Sequence, residues 1–161
     1  MEKYVFGFIG LGLIGGSVAK ALKQANPECT IIAYDKDTSA LDFAVSDNIC
    51  DIPASCIDDT FSSCDIFFLC TPVDYNAGYL KQIQNIRKPG SFITDVGSVK
   101  KVIHDTVRSL KLEDCFIGGH PMAGSENTGY ASSNAGLLEN AYYILTPTQA
   151  VPQSLVDNLF Y

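Results

Sequence analysis

The chain has little of what several classes of protein require. Among its 161 residues are no tryptophan, two methionines and two histidines, and its 18 acidic residues outnumber 11 basic ones. The formal net charge of −7 argues against a nucleic acid as partner, because phosphate neutralisation needs a basic surface. With only His104 and His120 available, a histidine-based metal site is not expected either.

Long apolar runs and paired cysteines are also missing. No apolar stretch of about 18 residues predicts a membrane span, and no basic segment followed by an apolar one marks a signal peptide. The six cysteines lie at positions 29, 50, 56, 64, 70 and 115, without a C-x-x-C pair. We therefore expect reduced cytoplasmic thiols rather than a disulfide framework or a zinc site, and no membrane partner.

What is present is enough apolar sequence for a core and a glycine-rich turn near the amino terminus. Hydrophobic residues make up 47% of the chain, and the length is that of about one domain. The apolar run 5–9 ends at six candidate cofactor-binding residues, Gly10, Leu11, Gly12, Leu13, Ile14 and Gly15. A strand that ends in G-x-G-x-x-G and opens a helix is the dinucleotide-binding fingerprint, with the phosphates at the helix amino terminus.

Each glycine of this turn has a steric reason. Gly10 permits the tight turn, Gly12 lets the backbone approach a pyrophosphate, and Gly15 lets the helix lie close to the strand. Asp35 follows the second apolar run, 20 residues after Gly15, where an acid can bind the adenosine ribose. A carboxylate there repels a 2′-phosphate, so NAD is expected rather than NADP, although Lys36 softens the preference. Ordinary glycine and aspartate turns are the alternatives.

Apolar strands alternate with helical patterns along the chain. Strands are predicted at 5–9, 30–34, 49–52, 65–70, 91–95, 115–118 and 141–145. Helices are predicted from the glycine turn to Asn26-Pro27 and at 38–46, 76–86 and 100–110, with Thr38 or Ser39 capping the second. The fold class expected is α/β: a doubly wound, mostly parallel Rossmann-type sheet with helices on both faces. Residues 121–140, rich in glycine, serine and asparagine, are expected to form a functional or disordered loop.

Three predicted strands end in unusual residues, and ligands of open α/β sheets bind beyond the carboxyl ends of the strands. These residues are Cys70, Thr71, Pro72 and Val73 after the fourth strand, Asp95, Gly97 and Ser98 after the fifth, and His120 after the sixth. His120 lies between Gly119 and Pro121, in backbone expected to be irregular. A near-neutral imidazole there can accept a proton, unless the histidine only caps a turn.

Three further polar residues lie on or before the fourth helix. Ser98 could orient a histidine or a substrate hydroxyl, or could be the N-cap of the helix. Lys100 could meet a carboxylate or be a solvated first-turn lysine. His104 lies opposite the predicted apolar stripe, so a solvated surface residue is expected. The stripe consists of Val99, Val102, Ile103, Val107 and Leu110.

Segments GLGLIGGS, CTPV, TDVGSVK and GGHPMAGSENTGY resemble, in order and spacing, the prephenate dehydrogenase family of tyrosine biosynthesis. A later segment, ENAYYILTP, is similar to the strand that closes the family's nucleotide domain. The resemblance implies NAD-dependent oxidative decarboxylation of prephenate to 4-hydroxyphenylpyruvate and CO2. It implies that His120 accepts the proton of the substrate 4-hydroxyl, that Ser98 positions both, and that Gly124 and Ser125 also contact the substrate.

The resemblance also implies a second, mostly helical domain that forms a homodimer and completes the substrate pocket. We therefore expect an NAD-binding domain at 1–150 and the start of a linker or helix at 151–161. An exposed apolar patch is expected near 155–161. Three alternative functions stay open: an NAD-binding sensor without turnover, an arogenate dehydrogenase and a β-hydroxyacid dehydrogenase.

Overall fold

A single seven-stranded sheet is the centre of the computed structural model, which describes residues 3–158. Its strands are β1 (Val5–Ile9), β2 (Thr30–Tyr34), β3 (Ile52–Ala54), β4 (Ile66–Leu69), β5 (Phe92–Asp95), β6 (Phe116–Pro121) and β7 (Tyr143–Pro147). Their spatial order is β3-β2-β1-β4-β5-β6-β7. All neighbours are parallel except β6 and β7, which pair antiparallel. The order reverses between β1 and β4, where doubly wound sheets bind their ligands.

Helices cover both faces of the sheet. They are α1 (Leu13–Ala25), α2 (Thr38–Ser46), α3 (Val73–Ile86), α4 (Lys101–Ser109) and α5 (Gln153–Asn158). On one face, Val18 of α1 and Leu41 of α2 pack in a core cluster with Phe8. On the other, Leu80 of α3 and Val107 of α4 belong to a second buried cluster. The predicted α/β fold class is thereby confirmed.

The predicted bounds of β1, β2 and α2 agree with the structure, but the predicted cap of α2 is wrong. Neither Thr38 nor Ser39 caps this helix. Asp37 does, since its Oδ1 atom accepts hydrogen bonds from the Ser39 amide at 3.0 Å and from the Ser39 hydroxyl at 2.6 Å. Asp37 lies one residue further from the apolar pattern that defined the predicted helix.

Other predicted elements differ in extent, among them β7, which spans Tyr143–Pro147 rather than 141–145. The third strand begins at Ile52 rather than Ile49, because the amides of Ile49 and Cys50 both donate to the Ala44 carbonyl oxygen and close the end of α2. The third helix, α3, begins at Val73 rather than Asn76. Its first turn therefore starts directly after Pro72, at the carboxyl end of β4.

The apolar stripe of α4 is narrower than predicted. Ile103 and Val107 are buried, whereas Val99 and Val102 are 55% and 51% exposed. Val99 lies outside the helix, which begins at Lys101. Two residues one turn apart therefore carry the fully buried contact of α4 with the sheet.

Residues 121–140 are not a disordered loop but pack against α1. Two 3-10 turns lie within them, Tyr130–Ser132 and Ala135–Leu138. The Lys20 ammonium nitrogen of α1 is 4.4 Å from the centre of the Tyr130 ring and 3.1 Å from the Ser133 carbonyl oxygen. Asp47 accepts a hydrogen bond from the Tyr130 hydroxyl at 3.1 Å, and its carboxylate lies 3.4 Å from Lys20 Nζ. The segment is therefore docked on α1 and on the end of α2.

The chain after β7 forms α5. Val156 of this helix is 9% exposed, and Leu155 is half-buried, so the first part of the expected apolar patch is largely covered. Its remaining residues, 159–161, lie outside the described residues. Within 3–158, no helix has both the length and the apolar composition that crossing a bilayer requires.

Candidate cofactor and catalytic site

The glycine turn between β1 and α1 has the geometry that a dinucleotide site requires. Gly10 has a φ of +98°, which L side chains rarely adopt, and its amide donates to the Tyr34 carbonyl oxygen at 2.8 Å. A Cβ atom on Gly15 would collide with the Gly10 carbonyl oxygen and lie 2.8 Å from the Cβ of Cys70. The two glycines allow β1 to turn sharply into α1 and allow α1 to lie against the end of β4.

Gly12 differs from these two glycines because the space beside it is open. A Cβ atom built there has nothing within 4 Å, and Gly12 caps α1 without a side-chain hydrogen bond. The first amides of α1 therefore face an open cradle at the positive end of a 13-residue helix. The residues present fit a pyrophosphate, which would be held by backbone N–H groups of this turn.

Asp35 supports the glycine turn as well as facing the predicted ribose site. Its Oδ2 atom accepts a hydrogen bond from the Leu11 amide at 2.6 Å, and its Oδ1 atom accepts one from the Asp37 amide at 2.8 Å. Each carboxylate oxygen can accept a second hydrogen bond, so the group can still bind a ribose hydroxyl. Lys36 is exposed, and its ammonium lies 5.5 Å from the centre of the Tyr75 ring on α3.

The end of β4 supplies the opposite side of the crevice. The Cys70 amide donates to the Ile9 carbonyl oxygen at 2.8 Å, and burial raises the pKa of the Cys70 thiol far above its ordinary value. The Thr71 hydroxyl donates to Asn76 Oδ1 at 2.5 Å. Asn76, which the sequence analysis did not single out, is fully buried, and its Nδ2 atom has no partner among the described residues. Asn76 thus fixes Thr71 from inside α3.

Asp95 forms a buried polar cluster at the ends of β5 and β6. Its carboxylate is fully buried and accepts hydrogen bonds from the Gly97 amide at 3.0 Å and the Gly119 amide at 3.2 Å. Lys100 Nζ lies 2.6 Å from both carboxylate oxygens and donates to the Gly119 carbonyl oxygen at 2.5 Å. Burial lowers the pKa of Lys100, although the Asp95 carboxylate opposes this shift. Lys100 is therefore not a solvated lysine. The carboxylate that it binds is that of Asp95 and not that of a substrate.

His120 lies inside β6, which corrects the expectation that it follows the strand in irregular backbone. The strand continues through Pro121 because β7 pairs with it, with His120 opposite Ile144. His120 Nδ1 is buried and has no hydrogen-bond partner among the described residues. An unpaired polar atom in a buried position costs about 1–3 kcal/mol, and a catalytic role is one of the reasons for which proteins keep such an atom.

The other predicted substrate contacts, Ser98, Gly124 and Ser125, lie in exposed loops. Ser98 is exposed in the loop between β5 and α4, and no hydrogen bond joins it to His120 within the described part of the chain. It does not cap α4, whose N-cap is Lys100. Gly124 and Ser125 are exposed beyond β6, where the Ser125 hydroxyl accepts a hydrogen bond from the Asn127 amide at 3.1 Å. That all three residues contact the substrate therefore stays a prediction.

His104 is not the solvated residue that the helical pattern indicated. Its ring is half-buried and meets the Phe116 ring edge to face, with the ring centres 5.5 Å apart. Its Nε2 atom lies 3.3 Å from the Thr146 hydroxyl of β7. Burial lowers the pKa of His104, with the Asp95 carboxylate opposing and the Lys100 and Arg108 cations reinforcing that shift.

Tyr143 is a second residue that the sequence analysis missed. A Cβ atom on Gly119 would lie 2.8 Å from the Tyr143 hydroxyl oxygen, so the phenol covers the strand just before His120. Burial raises the pKa of Tyr143 far above its ordinary value, with Cys70 and Asp95 adding to the shift and a hydrogen bond from Thr94 opposing it. Consecutive tyrosines before an apolar strand were the signal available in the sequence.

Comparisons with known proteins show the family of this chain. Residues 18–160 match the family model described as "Prephenate dehydrogenase, nucleotide-binding domain". The chain belongs to the prephenate dehydrogenase family. Its sequence is 37% identical over 156 residues to a prephenate dehydrogenase of Lactococcus lactis, covering 94% of this chain and 43% of that protein. The resemblance inferred from the motifs is thus confirmed.

Two solved structures of the family extend the comparison. A prephenate dehydrogenase from A. aeolicus, in complex with hydroxyphenyl propionate and NAD+, has a TM-score of 0.90 at 31% identity. That match covers 99% of this chain and 56% of that one. A Synechocystis arogenate dehydrogenase has a TM-score of 0.88 at 31% identity, covering 97% and 54% respectively. The chain thus spans about half the length of the prephenate and arogenate dehydrogenases that it matches.

Proposed function

We propose that this chain is the cofactor-binding half of an NAD-dependent enzyme that oxidatively decarboxylates prephenate to 4-hydroxyphenylpyruvate and CO2. The observation that carries the proposal is the position of His120. It lies at the carboxyl end of a parallel strand, on the same edge of the sheet as the open glycine turn, and its buried Nδ1 atom has no partner within residues 3–158. The NAD+ and hydroxyphenyl propionate in the related A. aeolicus structure support the same ligand classes here.

The residues of this chain would divide the chemistry as follows. NAD, when bound, accepts the hydride that leaves the ring carbon bearing the 4-hydroxyl. The amides of the glycine turn bind the pyrophosphate, and Asp35 accepts a hydrogen bond from the adenosine ribose. His120 takes the proton of the 4-hydroxyl, while Ser98 positions that hydroxyl and the imidazole. Loss of CO2 makes the ring aromatic, so the protein mainly supplies orientation and electrostatics.

The other residues predicted from the sequence are assigned either to the substrate or to the nucleotide. Gly124 and Ser125 are proposed to contact the substrate. The proposed contacts along the nucleotide are Gly10, Leu11, Gly12, Leu13, Ile14 and Gly15, Lys36, Cys70, Thr71, Pro72 and Val73, and Asp95 and Gly97. Because the Asp95 carboxylate is enclosed by protein donors, we assign its contribution to the shape of the adjacent backbone.

NAD is proposed as the cofactor in preference to NADP. The Asp35 carboxylate would stand beside a 2′-phosphate and repel it. Lys36 stacks on Tyr75 nearby and supplies one compensating cation. Replacing Asp35 by Asn would keep an acceptor for the Leu11 amide while removing the repulsion, so affinity for NADP should rise relative to NAD.

The decisive experiment follows NADH formation by the protein that the complete reading frame encodes. Prephenate and arogenate are tested separately, each with NAD and with NADP, and the His120→Asn variant is the control. Prephenate-dependent NADH formation that disappears in the variant would establish the reaction and the base together. NAD binding without turnover of either substrate would overturn the proposal in favour of a cofactor-sensing module.

Arogenate is the second candidate substrate. The Synechocystis arogenate dehydrogenase matches this chain almost as well as the prephenate enzyme does, with a TM-score of 0.88 against 0.90. The two substrates differ at the side chain, which we expect a second, helical and dimer-forming domain to contact. Faster turnover of arogenate than of prephenate would reassign the substrate and leave the roles of His120 and Asp35 unchanged.

A further inference from the structure

The strand that carries His120 is longer than its parallel neighbour. The last residue pair between β5 and β6 joins Asp95 to Gly118, whereas β6 continues through Gly119 and His120 to Pro121. On its other side, β7 stays paired with β6 as far as Pro121. The carbonyl oxygen of Gly119, which faces β5, would therefore have no strand partner among the described residues.

The side chains of Asp95 and Lys100 both reach the backbone of Gly119, and Lys100 provides the missing partner of the carbonyl oxygen. Asp95 Oδ1 accepts a hydrogen bond from the Gly119 amide at 3.2 Å, and Lys100 Nζ donates to the Gly119 carbonyl oxygen at 2.5 Å. The ammonium lies 2.6 Å from both Asp95 oxygens, and the two side chains are 0% and 18% exposed. Lys100, held by Asp95, thus donates to the Gly119 carbonyl oxygen as one further residue of β5 would.

This arrangement bears directly on the histidine because of the peptide bond between Gly119 and His120. The Gly119 carbonyl oxygen lies in the plane of that peptide unit, which ends at the Cα atom of His120. A hydrogen bond to the oxygen therefore fixes the plane from which the imidazole projects. Using side chains for this contact lets β5 end at Asp95, so the backbone turns away at Gly97 and leaves the crevice open.

We propose that Lys100 and Asp95 are positioning residues that hold His120 in its reactive orientation. This inference rests on the proposed function, in which His120 accepts the substrate proton. In this assignment the Lys100 ammonium and the Asp95 carboxylate touch neither substrate nor cofactor. The pair acts only through the backbone of Gly119, and a misplacement of about 1 Å at a reacting group can lower a rate by about 10²-fold.

The test compares two lysines that are adjacent in sequence but differ in environment. Lys101 is exposed and pairs only with Asp105 on the surface of α4, so Lys101→Met is the matched control for Lys100→Met. In the protein from the complete reading frame, Lys100→Met should lower kcat by about ten-fold or more. The Kd for NAD and the KM for prephenate should each stay within about two-fold of wild type.

A second variant separates hydrogen bonding to Gly119 from charge and folding. The double substitution Asp95→Asn with Lys100→Gln keeps an acceptor for the Gly119 amide and a donor for its carbonyl oxygen, but removes both charges. It should recover most of the kcat that Lys100→Met loses. A Lys100→Met enzyme with the kcat of Lys101→Met would overturn the proposal. So would a loss of kcat that only parallels losses of NAD affinity and melting temperature.

Hydrogen exchange tests the positioning role of Lys100 without measuring catalysis. The amides of Gly119 and His120 should exchange about ten-fold faster or more in Lys100→Met than in Lys101→Met, while the amide of Ile93 keeps its protection. Equal exchange rates in the two variants would refute the positioning role of Lys100, regardless of the kcat values measured. Failure of wild-type protein to oxidise prephenate, with faster exchange at Gly119, would instead refute the proposed function alone.

Discussion

Gly12 and Gly78 are two glycines with open space where a side chain would begin, yet we expect opposite effects from the same substitution. Gly78 lies inside α3, so Gly78→Ala should stabilise the fold by about 0.5–1 kcal/mol and leave NAD affinity unchanged. Gly12→Ala should leave stability almost unchanged, because a Cβ atom there has no neighbour within 4 Å. It should weaken NAD binding by about ten-fold or more, or about 1.4 kcal/mol, since the methyl group occupies the pyrophosphate cradle.

Thermal unfolding and NAD titration of both variants check this pair. Undiminished NAD affinity in a folded Gly12→Ala protein would contradict the assignment of the glycine turn to the pyrophosphate. A comparable loss in Gly78→Ala would show that the assay reports general disturbance rather than the cradle.

His104 gives the stability of the domain a pH dependence. Burial lowers the pKa of His104 from its ordinary value of 6.5, so the unfolded chain binds a proton at higher pH than the folded chain does. As pH falls below 6.5, the free energy of unfolding should therefore fall, until the folded-state pKa of His104 is passed. His104→Asn should show a shallower decline between about pH 7 and pH 5 in urea unfolding experiments.

Ser109→Ala, on the exposed face of α4, is the control and should keep the wild-type decline. A slope in His104→Asn as steep as in wild type would mean that other groups carry the acid sensitivity.

This histidine also shows what a local sequence pattern leaves out. The helical spacing of α4 placed His104 opposite the apolar stripe, and that geometry is correct for the helix alone. However, α4 lies beside β7, whose Thr146 is 42 residues away in sequence and 3.3 Å from His104 Nε2. The glycine turn, Asp35 and His120 could be identified because their patterns are local. Tyr143, Asn76 and the environment of His104 depend on long-range packing.

At the scale of elements, the docking of residues 121–140 onto α1 depends on Gly16, the residue that follows Gly15 in this helix. A Cβ atom there would lie 2.7 Å from the Ser133 hydroxyl oxygen and 2.9 Å from the Tyr130 ring. Gly16→Ala should therefore push the segment off α1 and destabilise the domain by about 1–3 kcal/mol. Limited proteolysis should then cut within 122–140 faster than in wild type.

Gly136→Ala is the matched control, because it lies in the same segment and its Cβ atom would meet only side-chain oxygens at 3.4 Å or more. Equal proteolysis of the two variants would contradict the steric role given to Gly16.

The sequence predicted an element correctly where the residues of that element alone determine its structure. The strands β1 and β2 are nearly continuous apolar runs because both of their faces are buried, and the predicted bounds agree with the structure. The end of β6 was not predictable, since β7, which begins only at Tyr143, extends that strand past β5. The two 3-10 turns of 121–140 were missed for the same reason: their order comes from contacts with Lys20 and Asp47.

At the scale of the whole molecule, β7 leaves an apolar edge. Within the described residues its outer side pairs with no strand, and Tyr142 and Ile144 are 84% and 47% exposed beside Met122 at 56%. Edges of this kind associate unless a charge or a covering element blocks them. The 161-residue chain should therefore self-associate with rising concentration in sedimentation velocity, and Ile144→Lys should reduce that association.

Val45→Lys provides the comparison, because Val45 is 42% exposed on α2, an element that does not border β7. Equal suppression by both lysines would indicate a general effect of net charge. A monomer at every concentration would contradict the prediction outright.

The position of β1 in the sheet also affects how the protein folds during synthesis. β1 leaves the ribosome before the other six strands of this sheet, yet it pairs with both β2 and β4. One of its edges must therefore wait until residues 66–69 have emerged, and β6 waits still longer for β7. Parallel pairing across such separations folds slowly and leaves apolar strand edges open to chaperones or to neighbouring nascent chains. The strand that carries the glycine turn is thus made before all its partners in the sheet, and its pairing is completed only after β4 has been made.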